Sequence, residues 1–136
     1  MTQAPKVLVA DDEQECIDFV REALAGTACE VLAASDGEEA LKVAREQKPQ
    51  LIILDIQMPK RSGFEVFADL RADKDLAAIP VIMLTAVTAR TGVKFSGSDV
   101  NEYMGAKPEA YIDKPIEPVV LKQTVARLLK QSGTGA

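Results

Sequence analysis

Leu51-Ile52-Ile53-Leu54-Asp55 is the most apolar run in the chain, and it ends on a carboxylate. Consecutive large aliphatics without polar alternation describe a strand covered on both faces, as in a parallel sheet between two helical layers. The flanking sequence repeats the theme. Lys6-Val-Leu-Val-Ala10 is a short apolar run that ends in Asp11-Asp12-Glu13, and Glu30-Val-Leu-Ala-Ala34 reads as a second strand. Pro80-Val-Ile-Met-Leu84 is a fourth, with Thr85 at its end, and Ala110-Tyr-Ile112 is a fifth, followed by Asp113-Lys114-Pro115.

Helical periodicity fills the gaps. Ile17, Val20 and Leu24 form one stripe, and Gly26 is placed to end that helix. Ser35-Asp-Gly-Glu38 reads as a capping box opening a helix with Ala40, Leu41 and Ala44 inside, closed at Pro49. A second box, Ser62-Gly-Phe-Glu65, opens a helix burying Val66, Phe67 and Leu70. The last helix carries Leu121, Val125, Leu128 and Leu129 on one face. Strands alternating with helices predict an α/β fold with a parallel sheet. Ligands of such sheets bind outside the carboxyl ends of the strands. Asp11, Asp12, Asp55, Thr85 and Lys114 all fall there.

The chain has 136 residues, enough for one domain and one proper core. Its 47% apolar and 27% charged content is that of an ordinary globular protein. No apolar run approaches the ~18–20 residues that span a bilayer. Met1 to Lys6 has neither the basic start nor the apolar stretch of a signal peptide, so a cytoplasmic protein without membrane contact is expected. Cys16 and Cys29 make no CxxC pair and read as packing residues. The absence of histidine excludes nucleophile–histidine pairs, histidine metal sites and a phosphohistidine intermediate on this chain. A net charge of −5 argues against direct nucleic-acid binding.

Carboxylates gathered at one sheet edge repel each other unless a cation neutralises them. Few, hard oxygen ligands suit Mg²⁺, which keeps several waters and takes phosphate oxygens. Lys114 would add a point charge on phosphoryl oxygens, and the Thr85 hydroxyl a hydrogen bond. Singly, each of these residues is an ordinary turn, cap or strand-end residue; the joint pattern is what points to carboxylate phosphorylation.

Together, Val7-Leu-Val-Ala-Asp11-Asp12-Glu13, Asp55-Ile-Gln-Met-Pro59 with Gly63, Thr85-Ala86 and Tyr111-Ile-Asp-Lys114-Pro115 resemble the signature of response-regulator receiver domains. The resemblance runs in family order from Lys6 to Lys130. It implies a flavodoxin-like, doubly wound (βα)5 three-layer sandwich with strand order 2-1-3-4-5. It also implies a receiver domain over residues 6–130, between an N-terminal tail (1–5) and a C-terminal tail or linker start (131–136). Whether the receiver stands alone or is cut from a longer protein stays open.

The same resemblance implies that Asp55 is the phosphoacceptor. Asp12, Asp55 and the backbone carbonyl of Gln57 would ligate Mg²⁺ directly, with Asp11 acting through metal-bound water. Lys114, joined to Pro115 by a cis bond, would contact the phosphoryl group, as would Thr85. Thr85 and Tyr111 would be the switch that remodels the surface of the fourth helix, fifth strand and fifth helix. Gln57 and Val87 match positions that tune the phosphoryl lifetime. The implied partners are a histidine kinase or histidine phosphotransfer protein, a downstream effector, and a second copy in a phosphorylation-dependent homodimer. The product is a signalling switch, not an enzyme.

One departure stands out. Between Thr85 and Lys114 the chain is several residues longer than is usual, and Thr91-Gly-Val-Lys-Phe-Ser-Gly-Ser-Asp99 breaks helical periodicity. The fourth helix is expected to be short or irregular, with Phe95 and Tyr103 as candidate docking anchors. Two other readings compete with this one. An aspartyl-phosphate enzyme of the haloacid-dehalogenase kind needs a second Asp where Gln57 stands. A pseudo-receiver that is never phosphorylated usually lacks one of the acidic pair, the acceptor or the lysine.

Overall fold

The structure is a computed structural model. It describes residues 5–27, 29–56, 58, 62–86, 109–114 and 116–131, with Ala86, Asp113, Lys114, Lys130 and Gln131 described by backbone alone. Five strands form one parallel sheet: β1 (Lys6–Ala10), β2 (Glu30–Ala34), β3 (Leu51–Asp55), β4 (Val81–Ala86) and β5 (Ala110–Lys114), in the order β2-β1-β3-β4-β5. Helices α1 (Gln14–Leu24), α2 (Gly37–Gln47) and α3 (Gly63–Ala72) connect them, and a C-terminal helix spans Pro118–Gln131. This is the doubly wound order expected from the sequence. The predicted irregular fourth helix lies outside the described residues.

The register explains why β3 is the most apolar strand. It pairs with β1 on one side and β4 on the other, and all its residues are buried. Alternate residues feed two separate cores. Leu8, Ala10, Ile52, Leu54, Val81 and Met83 pack under α2 and α3 with Phe67 and Leu70. Val7, Val9, Leu51, Ile53, Ile82 and Leu84 pack under α1 and the C-terminal helix with Leu24 and Leu121. Each of these Val, Leu, Ile and Met side chains, moved from water to this interior, contributes about 1.5–3 kcal/mol. The predicted stripes of all four helices face these cores, with Leu129 only half-buried. Cys16 and Cys29 form no disulfide among the described residues and pack against the second core, as expected of packing residues.

Several boundaries differ from the sequence reading. β4 runs on through Thr85 and Ala86, and β5 through Asp113 and Lys114, because each residue still finds a ladder partner (Thr85↔Asp113, Ala86↔Lys114). The N-cap of α2 is shifted by one residue, and the glutamate bonds the residue before the cap. Asp36 is the cap and accepts from the Glu39 N–H at 2.8 Å, while the Glu39 carboxylate accepts from the Ser35 N–H at 2.7 Å. β2 extends to Ala34 and holds Ser35 outside the first turn, and tandem glutamates let Glu39 replace Glu38. Gly26 lies past the end of α1, whose cap is Ala25 in right-handed backbone. The left-handed cap belongs instead to Lys48 (φ 47°), which closes α2 before Pro49. The box at α3 is as predicted: the Ser62 Oγ accepts from the Glu65 N–H at 3.2 Å, and Glu65 Oε1 accepts from the Ser62 N–H at 3.0 Å.

Candidate functional site

The ladder sets the strand ends in rows. Ala10 pairs with Leu54, so Asp11 continues β1 at the level where Asp55 ends β3. Asp55 pairs with Leu84, which pairs with Ile112, so Thr85 and Asp113 lie one residue beyond that row and Lys114 two. Asp11, Asp12 and Asp55 thereby converge, each offering a carboxylate oxygen within 4.8 Å of the others. Asp12 is exposed, whereas Asp11, Asp55 and Thr85 are buried.

Local hydrogen bonding holds these groups in place. The Asp11 N–H donates to the Ala34 carbonyl at 3.1 Å, and its Oδ1 accepts from the Glu13 N–H at 2.9 Å. That second bond closes a turn of the Asx kind, which aims one carboxylate oxygen back at the chain. At Asp55 the control is steric. The Gly63 N–H donates to the Ile56 carbonyl at 2.8 Å, and a Cβ on Gly63 would collide with the Asp55 carbonyl oxygen and lie 2.8 Å from the Ile56 Cα. The first turn of α3 thus rests directly on the backbone of Asp55 and Ile56. Nothing in the residue types flagged this contact beyond the presence of a glycine.

Buried carboxylates at such spacing strongly favour a cation between them. Their oxygens, one set open to solvent through Asp12, are the hard donors that suit Mg²⁺. The residues present fit that ion. The Gln57 carbonyl, the Lys114 side chain, Pro115 and Val87 lie outside what is described, as do Phe95, Tyr103 and the whole of 91–104.

Tyr111 lies one row behind the site, paired with Met83, and packs against the α2/α3 core. Its hydroxyl oxygen is buried and finds no hydrogen-bond partner among the described residues. Burial pushes the phenol above its ordinary pKa of 10.0. The unfolded chain then releases this proton first as pH rises, so stability present below pH 10 is lost above it. Urea midpoints measured from pH 9 to pH 11 should therefore fall less steeply in Tyr111→Phe than in wild type. An equal slope would remove Tyr111 as the cause.

The family described as the response regulator receiver domain matches residues 7–126. The chain belongs to that family. Among its relatives, the polar-differentiation response regulator DivK of Brucella anthropi is 33% identical over 90% of this chain and 94% of DivK. The alkaline phosphatase synthesis transcriptional regulatory protein PhoP of Bacillus subtilis is 35% identical over 96% of the chain but only 51% of PhoP. The chain spans about half the length of PhoP and of the other first relatives it matches. The solved structure of the chemotaxis response regulator CheY4 of Vibrio cholerae superposes with a TM-score of 0.78 at 30% identity, covering 94% of this chain and all of that one. This receiver domain is therefore of the kind found in two-component response regulators. Among the described residues, no helix is long and apolar enough to cross a membrane.

Proposed function

We propose that this receiver is an active phosphoacceptor switch in which Asp55 takes a phosphoryl group from a phosphohistidine on a kinase or phosphotransfer protein. The observation that carries the reading is the convergence of Asp11, Asp12 and Asp55 at the carboxyl ends of β1 and β3. An Asp55 oxygen attacks phosphorus as the N–P bond breaks, and the departing imidazole keeps the bonding electron pair. Asp12, Asp55 and the Gln57 carbonyl would hold Mg²⁺, with Asp11 acting through water. Bound there, the ion screens the carboxylate from the incoming phosphoryl oxygens and draws charge from them.

Thr85 and Lys114 take the remaining phosphoryl oxygens. Thr85 is wholly buried one residue beyond the Asp55 row, so a pull on its hydroxyl acts on packed surroundings rather than on solvent. Tyr111 supplies the readout: a half-buried phenol whose hydroxyl has no partner among the described residues gains when it moves into space that Thr85 vacates. The receiver extends over residues 6–130 in a cytoplasmic protein, and its output acts on an effector or a second copy through the face containing β5.

Phosphate-affinity electrophoresis after acetyl phosphate and Mg²⁺ tests this directly. Wild type should show a retarded band, and Asp55→Ala none. An unretarded wild type would leave a pseudo-receiver; retardation that survives in Asp55→Ala would move the acceptor elsewhere.

A further inference from the structure

Arg71, in the last turn of α3, gathers several elements at the end of the sheet opposite Asp55. Its Nη1 donates to the Ala77 and Ile79 carbonyls at 3.0 and 2.8 Å, and its Nη2 to Glu109 Oε1 at 2.7 Å. The same Glu109 oxygen accepts the Val81 N–H at 2.7 Å, while the Glu109 N–H donates to the Val81 carbonyl at 3.0 Å. The guanidinium also lies 4.7 Å from the ring centroid of Phe67. Exposed ion pairs ordinarily contribute little. This one is different in kind, because a planar fork with only 18% side-chain exposure joins α3, the α3–β4 connection, the start of β4 and the residue before β5.

Glu109 stands two residues ahead of Tyr111, so along extended chain both side chains leave the same face. That face packs toward α3: Glu109 meets Arg71, and Tyr111 meets the core that contains Phe67, Leu76 and Val81. The Tyr111 hydroxyl has no partner among the described residues, so its resting place is not one the phenol selects by its own bonds. Its ring rests against that core, and the course of β5 sets how it sits there. We infer that the Arg71–Glu109 pair is a positioning clamp that fixes the entry of β5 against α3 and so keeps Tyr111 in its resting place. The inference rests on the reading of Tyr111 as the switch.

The chain has no Trp and two Tyr, so Tyr103→Phe leaves Tyr111 as its single tyrosine emitter. In that background, Mg²⁺ with beryllofluoride should change the emission. Adding Glu109→Gln, which keeps an acceptor for the Val81 N–H, should shift the resting emission toward the beryllofluoride value and remove about half or more of the change. Arg71→Met should do the same. Labelling of Asp55 by acetyl phosphate should stay within about twofold, because the clamp lies at the far end of the strands.

Variants that melt earlier yet keep the resting emission and the full beryllofluoride change would show a merely structural ion pair and overturn the clamp. If Arg71→Met fails to fold, Glu109→Gln decides alone. A Tyr103→Phe parent with no emission change would instead sink the switch reading, and the clamp with it, before either clamp variant is measured.

Discussion

Gly63→Ala should lower the melting temperature by about 10 °C and slow phosphorylation of Asp55 by acetyl phosphate. Overpacking by one methyl ordinarily costs about 1–3 kcal/mol. The upper end applies here because the colliding atoms are backbone: the Asp55 carbonyl and the Ile56 Cα cannot rotate away as a side-chain tip could. At this chain length ~3 kcal/mol corresponds to roughly 10 °C. The two effects share one cause, since relief of the collision must move either α3 or the peptide that carries the acceptor. Gly26→Ala is the control. A Cβ there meets nothing within 4 Å, so this change should leave stability level or raise it by up to ~1 kcal/mol. Calorimetry on the two variants decides, and equal behaviour would mean that α3 accommodates the methyl without disturbing Asp55.

The second large effect concerns the acidic cluster. In a Mg²⁺ titration the wild-type melting temperature should climb with concentration, reaching ~2.7 kcal/mol of added stability at about a hundred times the dissociation constant. In Asp55→Asn the onset should move to at least about tenfold higher Mg²⁺, because one anionic ligand is gone and fewer charges are left to neutralise. Asp11 and Asp55 are buried, so solvent does little to soften their repulsion, and a cation bound between them would relieve it. An unchanged titration in Asp55→Asn would place the ion elsewhere. Adding NaCl to matched ionic strength separates specific binding from general screening.

Much of this was readable from residue types alone, for identifiable reasons. Unbroken aliphatic runs such as Leu51–Leu54 have no polar face to offer solvent, and so declared a central parallel strand. The Ser62–Glu65 box was legible because both of its hydrogen bonds are local. The cap at α2 was misplaced by one residue because Asp36 competes with Ser35, a choice made by where β2 releases the chain. Strand ends at Ala86 and Lys114 were missed because polar residues there are kept extended by a neighbouring strand, not by their own preference. Arg71 and Glu109 are 38 residues apart, and no local pattern announces that they meet. Asp11, Asp12 and Asp55 are legible as a group because the alternation of strands and helices assigns each to a strand's carboxyl end, where the fold brings them together.

The strand order has a mechanical corollary. β3 lies at the hub of the sheet, braced by a neighbour on each side and by a helical layer above and below, whereas β5 lies at the rim with β4 as its one partner. A reacting atom mounted on the hub has little recoil, so the work of forming a bond there is not dissipated in its own support. The rim has the compliance that the hub lacks. On the proposed reading, a force generated at Asp55 would travel outward across β4 to that rim, much as a stiff axle turns a flexible blade.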